Sequence, residues 1–168
     1  VASPSNGDGE SITTTDIEGS GGYSNSDYTS TFGGTSSATP LVSGIIALMF
    51  EANANLTWRD VQHILVETSR KNNANDPSWS TNGAGHLVSH KYGYGVIDAG
   101  AAVAASANWI TSEEEISFTS GTIQTDLDIP DNTGEIVYSN TTVTDAIQIE
   151  NIDVIVDLPH TFRGDMNL

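Results

Sequence analysis

A serine at the mouth of an apolar helix is one way to build a nucleophile, and this chain has one at Ser36. The run Gly34-Thr35-Ser36-Ser37-Ala38-Thr39-Pro40 leads directly into the apolar stretch from Leu41 to Phe50. Gly33 and Gly34 permit tight backbone geometry. Ser36 is expected at or just before the helix start, where unpaired N–H groups and the positive dipole end favour a developing anion. Pro40 is expected within the first turn, where its missing N–H costs nothing. A serine at a helix start also has a purely structural reading, as an N-cap whose hydroxyl accepts from the N2 or N3 amide. Nucleophilic use requires more: a base to take the hydroxyl proton and an acid to orient that base.

The pattern Gly34-Thr35-Ser36-x-Ala38-x-Pro40 resembles the nucleophile motif of subtilisin-like serine proteases, with every fixed position matched. Asn55-Leu56-Thr57-Trp58-Arg59-Asp60-Val61 is similar to the start of that family's next helix. Tyr92-Gly93-Tyr94-Gly95-Val96-Ile97-Asp98-Ala99 is similar to the turn and strand end leading into its last helix. Gly44-Ile45-Ile46-Ala47-Leu48 and Val88-Ser89-His90 are closest to the kexin and proprotein-convertase branch and its bacterial relatives. The resemblance implies a serine endopeptidase that hydrolyses polypeptides through an acyl-enzyme on Ser36, with the Ser36 backbone N–H as one oxyanion donor. Convertases of this branch cut after basic residues by means of acidic subsite residues, which would lie upstream, so substrate preference stays open.

In the subtilisin arrangement the triad runs Asp, His, Ser along the chain. With the nucleophile at position 36, its partners and the oxyanion asparagine are expected ahead of Val1. Neither an Asp-(Ser/Thr)-Gly nor a His-Gly-Thr box occurs; Asp8 is followed by Gly9, Glu10 and Ser11. The histidines His63, His86, His90 and His160 all follow Ser36 and match no catalytic position. The expectation is therefore a fragment, without peptidase activity by itself. His86 and His90 have the spacing of two helical metal ligands, but the sequence around them reads as strand and turn with no accompanying carboxylate, so no metal site is expected there.

Composition changes near Ile110. Residues 1–110 carry ten acidic and four basic residues with helical periodicity; residues 111–168 carry twelve acidic residues and one basic, Arg163, with a β-like pattern. Two domains follow: for 1–110 the resemblance implies the C-terminal part of an α/β, three-layer subtilisin-like catalytic domain, and 111–168 read as an all-β part. A net charge of -17 argues against nucleic acid or an anionic membrane as partner. The absence of cysteine excludes a disulfide framework and thiolate metal sites, and suits a bacterial exported protein better than a eukaryotic one. No apolar run reaches the length of a membrane span.

Within the first domain, residues 1–35 read as strand, loop and strand, with Ser11 to Thr15 as a β-branched run. Residues 36–53 read as a central helix buried on most sides. Thr57 is the expected N-cap of a helix through Ser69, with Trp58, Val61, Ile64, Leu65 and Thr68 on one stripe and His63 in solvent. Residues 71–86 read as loop. A last short helix, Asp98 to Ala107, is rich enough in alanine to lie close against a neighbour. Such a piece lacks most of the parallel sheet its central helix needs, so poor folding in isolation is expected.

Beyond Glu115, Ile116-Ser117-Phe118, Thr122 to Ile129, Glu135 to Tyr138 and Ala146 to Val156 alternate like short strands of a sandwich or jelly roll. Leu127-Asp128-Ile129-Pro130-Asp131-Asn132 and the run His160 to Leu168 resemble the opening of a P domain, the jelly-roll partner that follows and stabilises convertase catalytic domains. The resemblance thus implies an intramolecular contact between the two domains, a secreted or cell-surface location, and structural Ca²⁺ with ligands largely upstream. Arg163-Gly164-Asp165 matches an adhesion tripeptide but is accounted for by the P-domain pattern. Asn55-Leu56-Thr57 and Asn140-Thr141-Thr142 are glycosylation sequons by rule. The competing reading is a non-catalytic secreted module: a degenerate protease scaffold with an acidic β-domain that binds calcium or a surface partner.

Overall fold

The computed structural model describes residues 1–130 and 133–159. The chain divides into two units, Val1–Glu113 and Glu114–Leu168.

The first unit runs β1 (Ile12–Thr15), β2 (Tyr28–Phe32), α1 (Thr35–Ala52), α2 (Trp58–Thr68), β3 (Ser80–Thr81), β4 (Leu87–Val88) and α3 (Ala99–Ser106). β1 and β2 form an antiparallel hairpin in which Thr14 faces Thr29 and Thr15 faces Tyr28, with a bulge between Ile12 and Thr14. The Asp16 carboxylate closes the loop, accepting from Ile17 N at 2.8 Å and Ser24 N at 2.9 Å. β3 and β4 make a second, two-residue hairpin; β3 lies inside the stretch 71–86 expected to be loop, and β4 falls between His86 and His90, where strand and turn were expected. Val96 pairs in parallel with Ala2 and antiparallel with Arg70. This is the only parallel pairing among the described residues, so the expected three layers are represented by helices and strand stubs.

The three helices share one core: Met49 from α1, Val61, Ile64 and Leu65 from α2, Ala102 from α3, with Leu56 and Ile97 from the connections. Val42, Ile45 and Met49 recur at helical spacing along the inner face of α1. Met49 and Ile64 are fully buried, and each such side chain contributes roughly 1.5–3 kcal/mol relative to exposure. The alanines of α3 let α1 approach closely, and Asn53 Nδ2 donates to Ser106 O at 3.1 Å across that contact.

Several expectations are corrected. α1 buries only Ser37 and Met49, while Leu41, Leu48 and Phe50 are exposed; its uniformly apolar composition reflects faces that nothing covers among the described residues. By length and composition α1 would suffice to cross a membrane, contrary to the sequence reading. Its inner face nevertheless packs into the helical core. Trp58 is 62% exposed because the first residue of α2 projects off the core stripe. His63 is half-buried rather than solvated.

The second unit carries no strand among its described residues. The alternating β-branched segments there find no backbone ladder to pair with, and Ile152, Val154 and Ile155 stand in solvent. Of the P-domain resemblance, Asp131, Asn132 and the run from His160 to Leu168, including Arg163-Gly164-Asp165, lie outside the described residues.

Candidate active site

β2 ends at Phe32, Gly33 and Gly34 turn the chain, and α1 begins at Thr35. The N-cap is Gly34, with φ 76° and ψ −170° and no side-chain cap bond. That conformation is essentially confined to glycine. A Cβ at Gly34 would meet nothing within 4 Å, so the constraint is on the backbone itself. Ser36 is therefore the second helical residue, which corrects its reading as an N-cap.

Ser36 is exposed, and its Oγ forms no hydrogen bond among the described residues. The first amides to bond back within the turn are Ser37 N and Ala38 N, both to Gly34 O, at 3.2 and 3.3 Å. The N–H groups of Thr35 and Ser36 precede that ladder and stay available at the helix mouth, where the dipole is positive. Pro40 sits in the second turn, as the sixth residue of α1, not in the first as expected. It brings no donor to the Ser36 carbonyl four residues back. Around it, Thr39 Oγ1 donates to Thr35 O at 2.8 Å and Ser43 Oγ to Thr39 O at 3.1 Å.

Behind the turn lies a polar cluster that sequence reasoning missed. Ser5 Oγ donates to Gly34 O at 2.7 Å, Ser37 Oγ reaches the same oxygen at 2.9 Å, and the two hydroxyls are 2.8 Å apart. Asn6 Oδ1 accepts from Gly34 N at 2.7 Å. Gly33 leaves room for that asparagine: a Cβ there would stand 2.3 Å from Asn6 Oδ1. Ser37 is 1% exposed. The only sequence signal was indirect: Ser37 occupies a variable position of the motif, and Ser5 and Asn6 belong to a turn-rich segment far upstream.

None of the remaining sequence candidates joins Ser36. His86 and His90 flank β4 rather than sharing a helix face. His86 meets Tyr94 edge-on, with ring centroids 6.3 Å apart, beside a shallow pocket of about 240 Å³ that Glu67 and Lys71 also line. No group of three metal-ligating side chains occurs among the described residues. His160 lies outside them.

The strongest electrostatic perturbations serve the scaffold. Burial alone would raise the pKa of Asp60. Hydrogen bonds from Ser112 and Thr57 outweigh it and hold the carboxylate well below the usual range. Its Oδ2 accepts from Thr57 N at 2.7 Å, completing the capping box of α2, and its Oδ1 accepts from Trp109 Nε1 at 3.1 Å and Ser112 N at 2.8 Å. Asp76 is likewise held low by the Ser78 amide, the Ser78 side chain and Lys91. The Asp76–Lys91 pair is 3.0 Å apart and raises the lysine's pKa. Beside it, Trp79 stacks on Tyr92 at 5.6 Å.

The profile of the subtilase family, peptidase S8, matches residues 3–95. Furin of Mus musculus is 59% identical over 78 residues, 46% of this chain and 10% of furin. Neuroendocrine convertase 2 of Homo sapiens is 39% identical over 145 residues, 80% of this chain and 22% of that protein. A solved structure of the serine protease of Aeromonas sobria with its chaperone superimposes with a TM-score of 0.59 at 26% identity, over 62% of this chain and 24% of that one. The chain thus spans between about a tenth and a quarter of the length of these proteins. Their kinship supports the kexin-type resemblance and an α/β fold of the subtilisin kind. These sequence relatives are mammalian, which gives no support to the expected bacterial source.

Proposed function

This chain belongs to the subtilase family, and we propose that it supplies the nucleophile of a serine endopeptidase through Ser36. The observation that carries the reading is the exposed Ser36 hydroxyl on a strand–glycine–helix turn beside unpaired amides. In the proposed cycle Ser36 Oγ attacks the scissile carbonyl while a histidine takes its proton. The tetrahedral oxyanion is held by the Ser36 N–H among other donors. Collapse expels the amine, which receives the proton held by the histidine, and leaves an acyl-enzyme; water, giving its proton to the same histidine, then hydrolyses it and restores the serine. The histidine, its orienting aspartate and the oxyanion asparagine come from outside these 168 residues, so the isolated chain is inactive.

The same proposal makes the protein secreted or places it at the cell surface. It assigns residues 111–168 to a P domain of jelly-roll type that stabilises the catalytic domain, and it gives structural Ca²⁺ to ligands largely upstream. The test uses the full-length protein with a fluorogenic peptide library. Hydrolysis by the native protein and its loss in Ser36→Ala support the reading. Undiminished hydrolysis by Ser36→Ala, or none by the native protein, rejects it.

A further inference from the structure

We infer that Ser5, Asn6 and Ser37 are positioning residues that fix the direction of the amides beside Ser36. The inference rests on the nucleophile reading above and extends it to residues that touch no substrate.

In a trans peptide the carbonyl and the following N–H point to opposite sides. The Gly34 carbonyl is held by the Ser5 and Ser37 hydroxyls at 2.7 and 2.9 Å. The Thr35 N–H of the same peptide must therefore point the other way, away from those hydroxyls. The preceding peptide is held independently, because Asn6 Oδ1 takes the Gly34 N–H at 2.7 Å. Both peptides flanking Gly34 are thus pinned by side chains 28 and 29 residues upstream. The pinning matters because glycine has no Cβ to resist rotation. A flip of the Gly34–Thr35 peptide would turn a carbonyl oxygen to the side where the Thr35 N–H now stands, one residue before the Ser36 N–H assigned to the oxyanion.

The hydroxyls are redundant by design of their hydrogens. Ser5 and Ser37 bring one hydrogen each to a triangle of three contacts with Gly34 O. If both hydrogens stay within the triangle, at least one reaches the carbonyl, since the hydroxyls cannot each donate to the other. Removing either serine leaves the other free to donate to Gly34 O. Removing both leaves that carbonyl only the weaker helical contacts from Ser37 N and Ala38 N, at 3.2 and 3.3 Å.

The test is a double-mutant cycle in the full-length protein, with kcat, KM and melting temperature read for each variant. Ser5→Ala and Ser37→Ala singly are expected to lower kcat less than about fivefold. The double variant is expected to lower it about a hundredfold, the scale of a disturbed oxyanion site, with KM within about twofold. Ser5→Thr on the Ser37→Ala background keeps a hydroxyl and is expected to restore activity to the level of the single variant. Asn6→Ala, at an exposed position, is expected to lower kcat about tenfold and gives an independent reading if the double variant does not fold. A double variant with native kcat, or one that loses activity through KM, overturns the inference while leaving Ser36 in its role. A native protein that hydrolyses nothing overturns both.

Discussion

Gly34 carries the most demanding backbone in the site, and the geometry of Ser36 depends on it. Alanine at this position would meet no neighbour, so its cost is the conformational one, roughly 1–3 kcal/mol for a residue forced into this region. Gly34→Ala is accordingly expected to slow acylation of Ser36 in the full-length protein. D-alanine, introduced by semisynthesis, suits a positive φ and is expected to spare it. Equal rates for the two enantiomers would show that the backbone of Gly34 is not what positions Ser36. The turn that presents Ser36 at a helix start was legible in the sequence because its motif is local: seven consecutive residues hold the turn, the serine and the proline. The pins were not legible. Ser5 and Asn6 reach Gly34 only after β1 and β2 fold back, and a hydroxyl at a variable motif position gives no hint of its partner.

At the scale of elements, Asp60 ties the start of α2 to the segment that follows α3. The carboxylate is fully buried and accepts hydrogen bonds from Thr57, Trp109 and Ser112. Asn at this position turns one oxygen into a donor facing donors. Hydrogen bonds to a charged group are worth roughly 1.5–3 kcal/mol, so Asp60→Asn is expected to speed amide exchange at residues 109–112 about tenfold to a hundredfold. Because the folded pKa lies below the unfolded value of about 3.9, the stabilisation is complete above that pH and fades as pH falls through the folded pKa. Protection of those amides, with the intrinsic pH dependence of exchange divided out, should therefore fall below about pH 4 in the native chain and show a weaker acid dependence in Asp60→Asn. Unchanged exchange in the variant would mean the latch carries little of the local stability. The helix itself was readable, since Thr57 and Asp60 stand at capping-box spacing. The long-range half of the latch was not, because nothing in Trp109 or Ser112 announces a buried acceptor. The helix α1 shows the complementary limit: composition revealed that it is apolar, not which of its faces is covered.

For the whole molecule, two apolar surfaces stand out. One is the outer face of α1, with Leu41 and Leu48; the other lies along the second unit, where Ile152, Val154 and Ile155 are exposed without a strand ladder. Exposed apolar area of this kind marks an interaction surface or an aggregation liability. The 168-residue chain alone is expected to bind a hydrophobic dye and to melt broadly, and a sharp two-state melt without dye binding would contradict this. The β character of residues 111–168 was read from alternation, a local property, whereas a strand exists only through its partner.

The most direct test of Ser36 as nucleophile is labelling of the full-length protein with a serine-directed phosphonate, followed by mapping of the adduct by mass spectrometry. The expected result is a single adduct on Ser36, absent from Ser36→Ala. An unlabelled native protein, or an adduct on another serine, would contradict the assignment and leave Ser36 as an exposed residue in the first turn of a helix.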